Sequence, residues 1–172
     1  MQFTPGYLFG MVLQTIPEPR KVARDLFDLP VARKVRWLVL LLMVVLATIL
    51  GVIEGVFLSV GVWAIYLMGR MAGGQGRLDD AITIAIWLEF VLLGFQTVTL
   101  VFSLFAPAMA GILMVMSSVL FFWILSHFTA ESHGFRSAGL VFVSIITVLI
   151  LAVFALSFLL VLMGVEPIEM GV

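Results

Sequence analysis

The chain has 172 residues, of which 63% are hydrophobic and only 11% are charged. A water-soluble domain of this size is about 45–50% apolar and about 25% charged, so the composition excludes a soluble globule and indicates an integral membrane protein. The formal net charge of −1 says little about partners, while the absence of cysteine excludes disulfides, thiolate metal sites and cysteine nucleophiles.

Residues 1–36 are predicted to form a cytoplasmic leader. The first 14 residues contain no Lys or Arg, so they lack the basic region of a cleavable signal peptide and are expected to be retained. The stretch RKVARDLFDL (20–29) has apolar residues at helical spacing and charged residues between them. It predicts an amphipathic helix at the membrane surface. Either the helix lies in the headgroup layer, or it is a solvated helix packed on a neighbouring protein.

Three long apolar runs follow the leader, at 37–68, 81–125 and 138–163. A membrane span needs about 20 apolar residues, so the second run is too long for one helix. Pro107 predicts a break between a span at 81–105 and a span at 107–127, because proline interrupts a helix. The last run predicts one span.

The first run, 37–68, allows two interpretations. As one helix it would be about 48 Å long at 1.5 Å per residue, well beyond a hydrocarbon core of about 30 Å. A turn at 51–55 gives five spans and places the leader and the loops at 69–80 and 127–137 on one face, with all nine basic residues. A single helix gives four spans and divides the basic residues between the two faces, six on one and three on the other. The positive-inside tendency favours five spans.

The predicted fold is therefore all-α: a polytopic membrane helix bundle of five transmembrane spans, or four if 37–68 is one helix, preceded by an amphipathic interfacial helix. The bundle occupies 37–163, and 164–172 form a short periplasmic tail. The positive-inside tendency predicts that the amino terminus is in the cytoplasm and the carboxy terminus is outside.

Two stretches carry a resemblance to a known family. They are MGRMAGGQGRLDDAITIAIWLEFVLLGFQ (68–96) and HFTAESHGFRSAGLVF (127–142). Together they resemble the bacterial branch of the Yip family, polytopic membrane proteins with the Yip-one domain, named for interaction with Ypt/Rab GTPases. The resemblance covers roughly residues 17–163. It implies a cytoplasmic amino-terminal segment followed by five spans. For a bacterial member, it implies the inner membrane as the location, with the carboxy terminus in the periplasm.

The chain departs from the family pattern in two places. The connection between the first two spans is reduced to 51–55, and Glu89 stands where an amide is expected. Eukaryotic members resemble trafficking and membrane-shaping factors that bind GTPases, a role that does not transfer to a bacterium without that vesicle machinery. The resemblance implies no catalytic motif.

Glu89 and Gln96 are seven residues apart and so share one face of a predicted span. An ionisable residue inside a span usually faces the bundle and indicates a function. A proton or ion pathway would need further polar residues on other spans, which are scarce. The sequence favours a protonated Glu89 that forms a hydrogen bond between helices with Gln96.

The two histidines of the chain, His127 and His133, flank Glu131. The pattern HxxxExH could supply three metal ligands if the helix unwinds after Glu131, but it is not the HExxH of metalloproteases. The sequence favours a polar cytoplasmic corner, with Gly134 as helix stop and Arg136 as a topology residue. The nearby GGQG (73–76) lacks the order of a phosphate loop and predicts a flexible turn.

The sequence thus predicts no catalytic residue, cofactor or metal. It predicts a non-catalytic membrane protein that binds another integral membrane protein or complex, or organises lipid, and does not bind nucleic acid. One alternative is an accessory or assembly subunit of a respiratory or photosynthetic complex. Another is a small transporter or channel around Glu89. Small residues are expected to permit close helix contact, namely Gly94, Ala108, Ala110 and Gly111.

Overall fold

The computed structural model describes residues 5–50 and 52–164, without the side chains of 46–50 and 52–57. Within these ranges every regular element is a helix, which confirms the all-α class. The helices are α1 (Pro5–Thr15), α2 (Pro19–Phe27), α3 (Arg33–Leu50), α4 (Val52–Met71), α5 (Leu78–Ser103), α6 (Pro107–His133) and α7 (Ala138–Leu162). The predicted tail at 164–172 lies outside the described residues except for Gly164.

Three helices, α5, α6 and α7, are long and apolar enough to cross a membrane. Each has 25 to 27 residues, which corresponds to about 38–41 Å at 1.5 Å per residue and exceeds a hydrocarbon core of about 30 Å. The described part of α4 adds a shorter apolar helix over Leu58–Met71. The molecule is therefore a polytopic membrane helix bundle.

The local signals at the helix ends act as predicted. α5 ends at Ser103 and α6 begins at Pro107, whose missing N–H costs nothing in a first turn. α6 ends at Gly134, which adopts the left-handed conformation (φ +72°) that closes a helix. The Ser137 hydroxyl then accepts a hydrogen bond from the backbone N–H of Leu140 (3.3 Å) and caps α7.

The first apolar run folds as two helices that pack on each other and on α5. The start of α3 lies at the start of α5, where Arg33 pairs with Asp79. The end of α4 lies there too, because only residues 72–77 connect it to α5. One straight helix over 37–68 would carry its ends to opposite ends of the bundle, so the interpretation of 37–68 as one helix is wrong. Gly51, at the predicted turn, lies outside the described residues.

The leader contains two packed helices, of which the sequence predicted only α2. The apolar face of α2 packs on α5 and α6, with Val22 and Ala23 fully buried. The chain itself covers this face, so α2 is not an interfacial helix with its apolar side in the headgroups, nor is that side left for a neighbouring protein. α1 is held at its carboxyl end by two indoles: Trp87 Nε1 donates to Thr15 Oγ1 and Trp123 Nε1 to the Ile16 carbonyl, both at 3.2 Å.

The buried core lies towards the end of the bundle where α3, α5 and α7 begin. On α5 the buried residues fall between Asp79 and Val91, and on α6 most fall between Ile124 and His133. At the other end most described side chains of α5 and α6 are exposed, and α7 is exposed at every position from Leu149 to Gly164. Of the small residues predicted at helix contacts, Ala110 is buried, whereas a Cβ on Gly94 or Gly111 would meet no atom within 4 Å.

Candidate functional site

Four chain segments meet at the well-packed end of the bundle. They are residues 18–28, which contain α2; the first turn of α3; residues 69–80, which contain the end of α4, the following loop and the first turn of α5; and the corner between α6 and α7 at 126–137. We call this surface the charged end. Nine basic against six acidic residues give it a formal charge of +3. The basic residues are Arg20, Lys21, Arg24, Arg33, Lys34, Arg36, Arg70, Arg77 and Arg136, and the acidic residues are Glu18, Asp25, Asp28, Asp79, Asp80 and Glu131.

Asp79, in the first turn of α5, is the centre of the largest ionic cluster. Its carboxylate receives two hydrogen bonds from the Arg33 guanidinium, at 2.8 and 2.9 Å. Arg77 lies 3.6 Å away on the other side, and Arg36 donates to the Asp79 carbonyl at 3.3 Å. The Asp79 side chain is 10% exposed and that of Arg33 is 64% exposed. A bidentate pair of this kind fixes orientation, so the cluster sets the position of α3 against α5.

A second set of contacts holds α2 against the corner between α6 and α7. Arg24 forms a salt bridge with Glu131 at 3.0 Å. Arg20 donates to the carbonyls of Phe135 and Arg136, at 3.1 and 3.3 Å. Both carbonyls follow the end of α6, where backbone acceptors lack helical partners. At the start of α2, Lys21 and Glu18 form an ion pair at 3.0 Å. The hydrogen bond from Lys21 holds the pKa of the Glu18 carboxyl below its usual value.

His133, the last residue of α6, is buried against the loop between α4 and α5. Its imidazole lies on three glycines: a Cβ on Gly74 would come within 2.6 Å of His133 Cβ, a Cβ on Gly76 within 2.5 Å of His133 Cε1, and a Cβ on Gly69 would overlap Nε2. The Gln75 N–H also donates to the His133 carbonyl at 3.2 Å. The glycine-rich loop is therefore a close-packing surface for one histidine, which corrects the prediction of a flexible turn.

The hydrogen bonds of the His133 imidazole are confined to its own helix. Nδ1 lies 2.9 Å from Ser132 Oγ and 3.2 Å from the Thr129 carbonyl. Nε2 is buried and has no hydrogen-bond partner within the described residues. The ring of Phe135 stacks on the imidazole at 5.7 Å. Because glycine backbone occupies the space beside Nε2, the contact is a packed joint with no room for a bound ligand.

The three polar residues of the HxxxExH pattern point in different directions. His127 Nδ1 lies 2.8 Å from the Trp123 carbonyl, Glu131 faces Arg24, and His133 faces the glycine loop. Across the described part of the chain, no three His, Cys, Asp or Glu side chains come together as a metal site would require. The arrangement ties segments together and offers no metal chemistry.

Glu89 and Gln96 lie on α5, away from the charged end. Glu89 is half-buried among the helices, whereas Gln96 is exposed on the side of the bundle. The two residues thus differ in environment despite their helical spacing. The charged end, and not the pair on α5, brings most of the polar side chains together.

Sequence reasoning missed Asp79, and it named His133 as a candidate polar residue without predicting that the glycine loop packs on it. For Asp79 the available signal was position, since a carboxylate in the first turn of a helix, between arginines of two segments that share a face, is a natural partner for them. For the glycines the signal was their number around a single buried histidine. Neither signal identifies the partner without the fold.

Apolar helices of membrane-spanning length, with every basic residue at one end, define a multi-pass integral membrane protein. The Yip1 domain family model matches residues 27–159. The chain therefore belongs to the Yip1 domain family, which confirms the resemblance drawn from the two sequence stretches. The matched region includes α3 to α6, most of α7, and all of the charged end except α2 before Phe27. No curated protein and no solved structure matches the chain.

Proposed function

We propose that this protein is a non-enzymatic, five-span membrane protein that uses its charged end to bind another integral membrane protein. The observation that carries the proposal is that the charged end is preassembled. The Arg33–Asp79 pair, the Arg24–Glu131 pair and the His133 joint connect segments more than 40 residues apart in sequence. A surface that is already ordered loses little conformational entropy on binding, which favours recognition.

The chemistry of this surface favours an acidic partner. Lys34, Arg70 and Arg136 are exposed, and their side chains make no ion pair with any described residue. Cations next to a membrane are attracted to anionic lipid by about 1 kcal/mol each. The same cations complement carboxylates on the membrane-proximal surface of a partner. We therefore expect the partner to present an acidic segment close to the headgroups.

The proposed orientation follows from the positive-inside tendency. With all nine basic residues at one end, that end faces the cytoplasm of a bacterial inner membrane. α3 and α4 are then the first two of five spans, α2 at the charged end is cytoplasmic and the carboxy terminus is periplasmic. The partner meets the protein on the cytoplasmic side.

The experiment is purification of the tagged chain from its native membranes in mild detergent, with an inventory of the proteins retained. The variant Lys34→Gln/Arg70→Gln/Arg136→Gln removes three exposed cations. The control Glu18→Gln/Lys21→Gln removes an exposed pair from α2 and leaves the net charge unchanged. We expect a partner that is retained by the wild type and the control and lost from the triple variant. A chain that purifies alone from wild-type membranes contradicts the proposal.

The same inventory of retained proteins distinguishes the accessory-subunit alternative from the proposed function. A subunit of a respiratory or photosynthetic complex is retained at a fixed ratio to the other subunits and is not lost when salt screens the cations. A partner held through the charged end dissociates as the salt concentration rises.

A transport function is favoured only by Glu89, a half-buried acidic residue within an apolar helix. The variant Glu89→Gln keeps the shape of the side chain and removes its ability to ionise. Under the transport alternative, this change abolishes ion or proton flux in reconstituted vesicles. Equal flux in the wild type and the variant excludes that alternative.

A further inference from the structure

A crevice of about 750 Å³ lies between α1, α3 and α5 and is partly open to the surroundings. Its volume falls within the range of about 300–1,000 Å³ that small-molecule sites occupy. Leu8, Phe9 and Val12 of α1 form one wall, and Met43 of α3 forms the facing wall. The helix α5 forms the floor.

The position of the crevice across the membrane follows from the residues of its floor, which include Val91, Gly94 and Thr97. These residues lie about 18–27 Å along α5 from Asp79, at 1.5 Å per residue. Asp79 belongs to the charged end and marks the headgroup level on that side. With a hydrocarbon core about 30 Å thick, the crevice lies in the half of the core that is remote from the charged end.

The described lining offers no anchor for a polar ligand. Its one side-chain hydroxyl, on Thr97, already donates to the Leu93 carbonyl at 2.8 Å. The other described lining residues are apolar or glycine. A lipophilic site without polar groups does not hold water, and it gives no partner to a carboxylate or a phosphate. The described lining therefore favours a hydrocarbon occupant over a polar one.

We propose that the crevice binds one acyl chain of a glycerophospholipid from the leaflet remote from the charged end. The chain enters between α1 and α3 and rests on Gly94, where the missing side chain leaves the floor open. The head group stays at the far membrane surface, near the turn after Ser103. Ser103 lies about 9 Å beyond Thr97 along α5, so an acyl chain of ordinary length reaches from that surface into the crevice.

The helix α1 forms one wall of this site. It is joined to the bundle by hydrogen bonds at its carboxyl end, from Trp87 to Thr15 and from Trp123 to the Ile16 carbonyl. Towards its other end, Phe9 lines the crevice and is 64% exposed. An acyl chain in the crevice covers apolar surface on α1 and α3 together, and this burial stabilises α1 against the bundle.

The test uses phosphatidylcholine with a photoactivatable diazirine at the middle of one acyl chain, in lipid nanodiscs with the full chain. We expect cross-links concentrated on Phe9, Val12 and Val91. The variants Gly94→Leu and Gly94→Phe fill the floor, where a Cβ meets no atom within 4 Å, and we expect them to lower these cross-links at least fivefold. Gly111→Leu and Gly111→Phe are matched controls, since Gly111 is equally open but lies on α6.

Four further outcomes decide the proposal. Equal labelling from phosphatidylglycerol supports it, because the site binds the chain and not the head group. Labelling by photoactivatable palmitate but not by either phospholipid overturns it. Labelling spread evenly over the exposed surface of α7 overturns it as well, since that indicates only the surrounding lipid. Labelling that appears only after deletion of residues 2–4 also overturns it, because the amino terminus is then the native occupant.

Discussion

The imidazole of His133 occupies the space that a Cβ atom on Gly69 would need. This relationship joins the last turn of α4 to the last turn of α6, and two of the loop glycines, Gly74 and Gly76, extend the contact along the loop. Because this contact is closely packed, it fixes the glycine loop against the end of α6. The helices α5 and α7 begin shortly after these two segments. The tightness of this packing can be measured as the loss of stability when a single methyl group is added.

Gly69→Ala is expected to lower the free energy of unfolding by about 1–3 kcal/mol, the usual cost of overpacking. The added methyl group meets imidazole atoms of His133 that are already packed against Gly74 and Gly76, so the ring has little room to turn away. The measurement is the midpoint of thermal unfolding in detergent, followed by tryptophan fluorescence. Gly61→Ala is the control on the same helix, because a Cβ there meets no atom within 4 Å. It is expected to be neutral or to stabilise by about 0.5–1 kcal/mol, since alanine favours a helix.

The double variant Gly69→Ala/His133→Ala completes this test. If the clash is specific, removal of the imidazole recovers most of the stability lost through Gly69→Ala, and the two changes are strongly non-additive. Additive effects would show that Gly69 matters for a reason other than the histidine.

Arg33→Gln is expected to lower the midpoint of thermal unfolding, because it removes two hydrogen bonds to the nearly buried Asp79 carboxylate. The expected shift is modest, since Arg33 itself is largely exposed. Lys34→Gln removes the same charge one residue later, where no described ion pair is lost, and is expected to change stability by less than about 0.5 kcal/mol. The comparison is made by thermal unfolding at low and high salt. Equal shifts in the two variants would mean that charge alone, and not the Asp79 pair, stabilises α3 against α5.

Short-range features of this fold were predictable from sequence, because their causes lie within a few residues. Pro107 separates α5 from α6 and Gly134 ends α6, since each residue imposes its backbone conformation locally. The five-span interpretation used charge, and the contacts at the charged end do bring the basic segments together. Composition alone established the membrane class.

The missed features depend on contacts between distant residues. Arg33 and Asp79 are 46 residues apart, and no periodic pattern specifies such a partner. α1 was not predicted because an apolar stretch of 11 residues without charges is too short for a span and lacks the polar face of a surface helix. For α2 the pattern was correct, but it could not say that α5 and α6 of the same chain cover the apolar face.

Thr15→Val is expected to loosen α1. The substitution keeps the size of the side chain but leaves the buried Trp87 N–H without its acceptor, which costs about 1–3 kcal/mol. The measurement is the rate at which trypsin cleaves after Arg20 and Lys21 in the native protein, since both sites lie in the first turn of α2, the next helix after α1. Thr147→Val is the control, because the Thr147 hydroxyl is exposed and bonds only within its own helix. A cleavage rate unchanged by Thr15→Val would show that apolar packing alone holds α1.

The proposed orientation predicts a definite pattern of cysteine labelling, and the cysteine-free chain makes the experiment free of background. Gln75→Cys lies in the exposed loop at the charged end, and Phe105→Cys lies in the exposed turn at the opposite end. With the charged end in the cytoplasm, a membrane-impermeant maleimide added to spheroplasts labels Phe105→Cys at once, and labels Gln75→Cys only after permeabilisation.

Glu54→Cys adds the test of five spans, because the turn between α3 and α4 must reach the periplasm if both helices cross the membrane. Labelling of Glu54→Cys and Phe105→Cys from the same side supports five spans, since the turn of the first hairpin and the turn before α6 then share a face. Protection of Glu54→Cys in intact spheroplasts, with Phe105→Cys labelled, would show that the first hairpin does not cross the membrane. In that case the nine basic residues still face the cytoplasm, but α5, α6 and α7 alone span the bilayer.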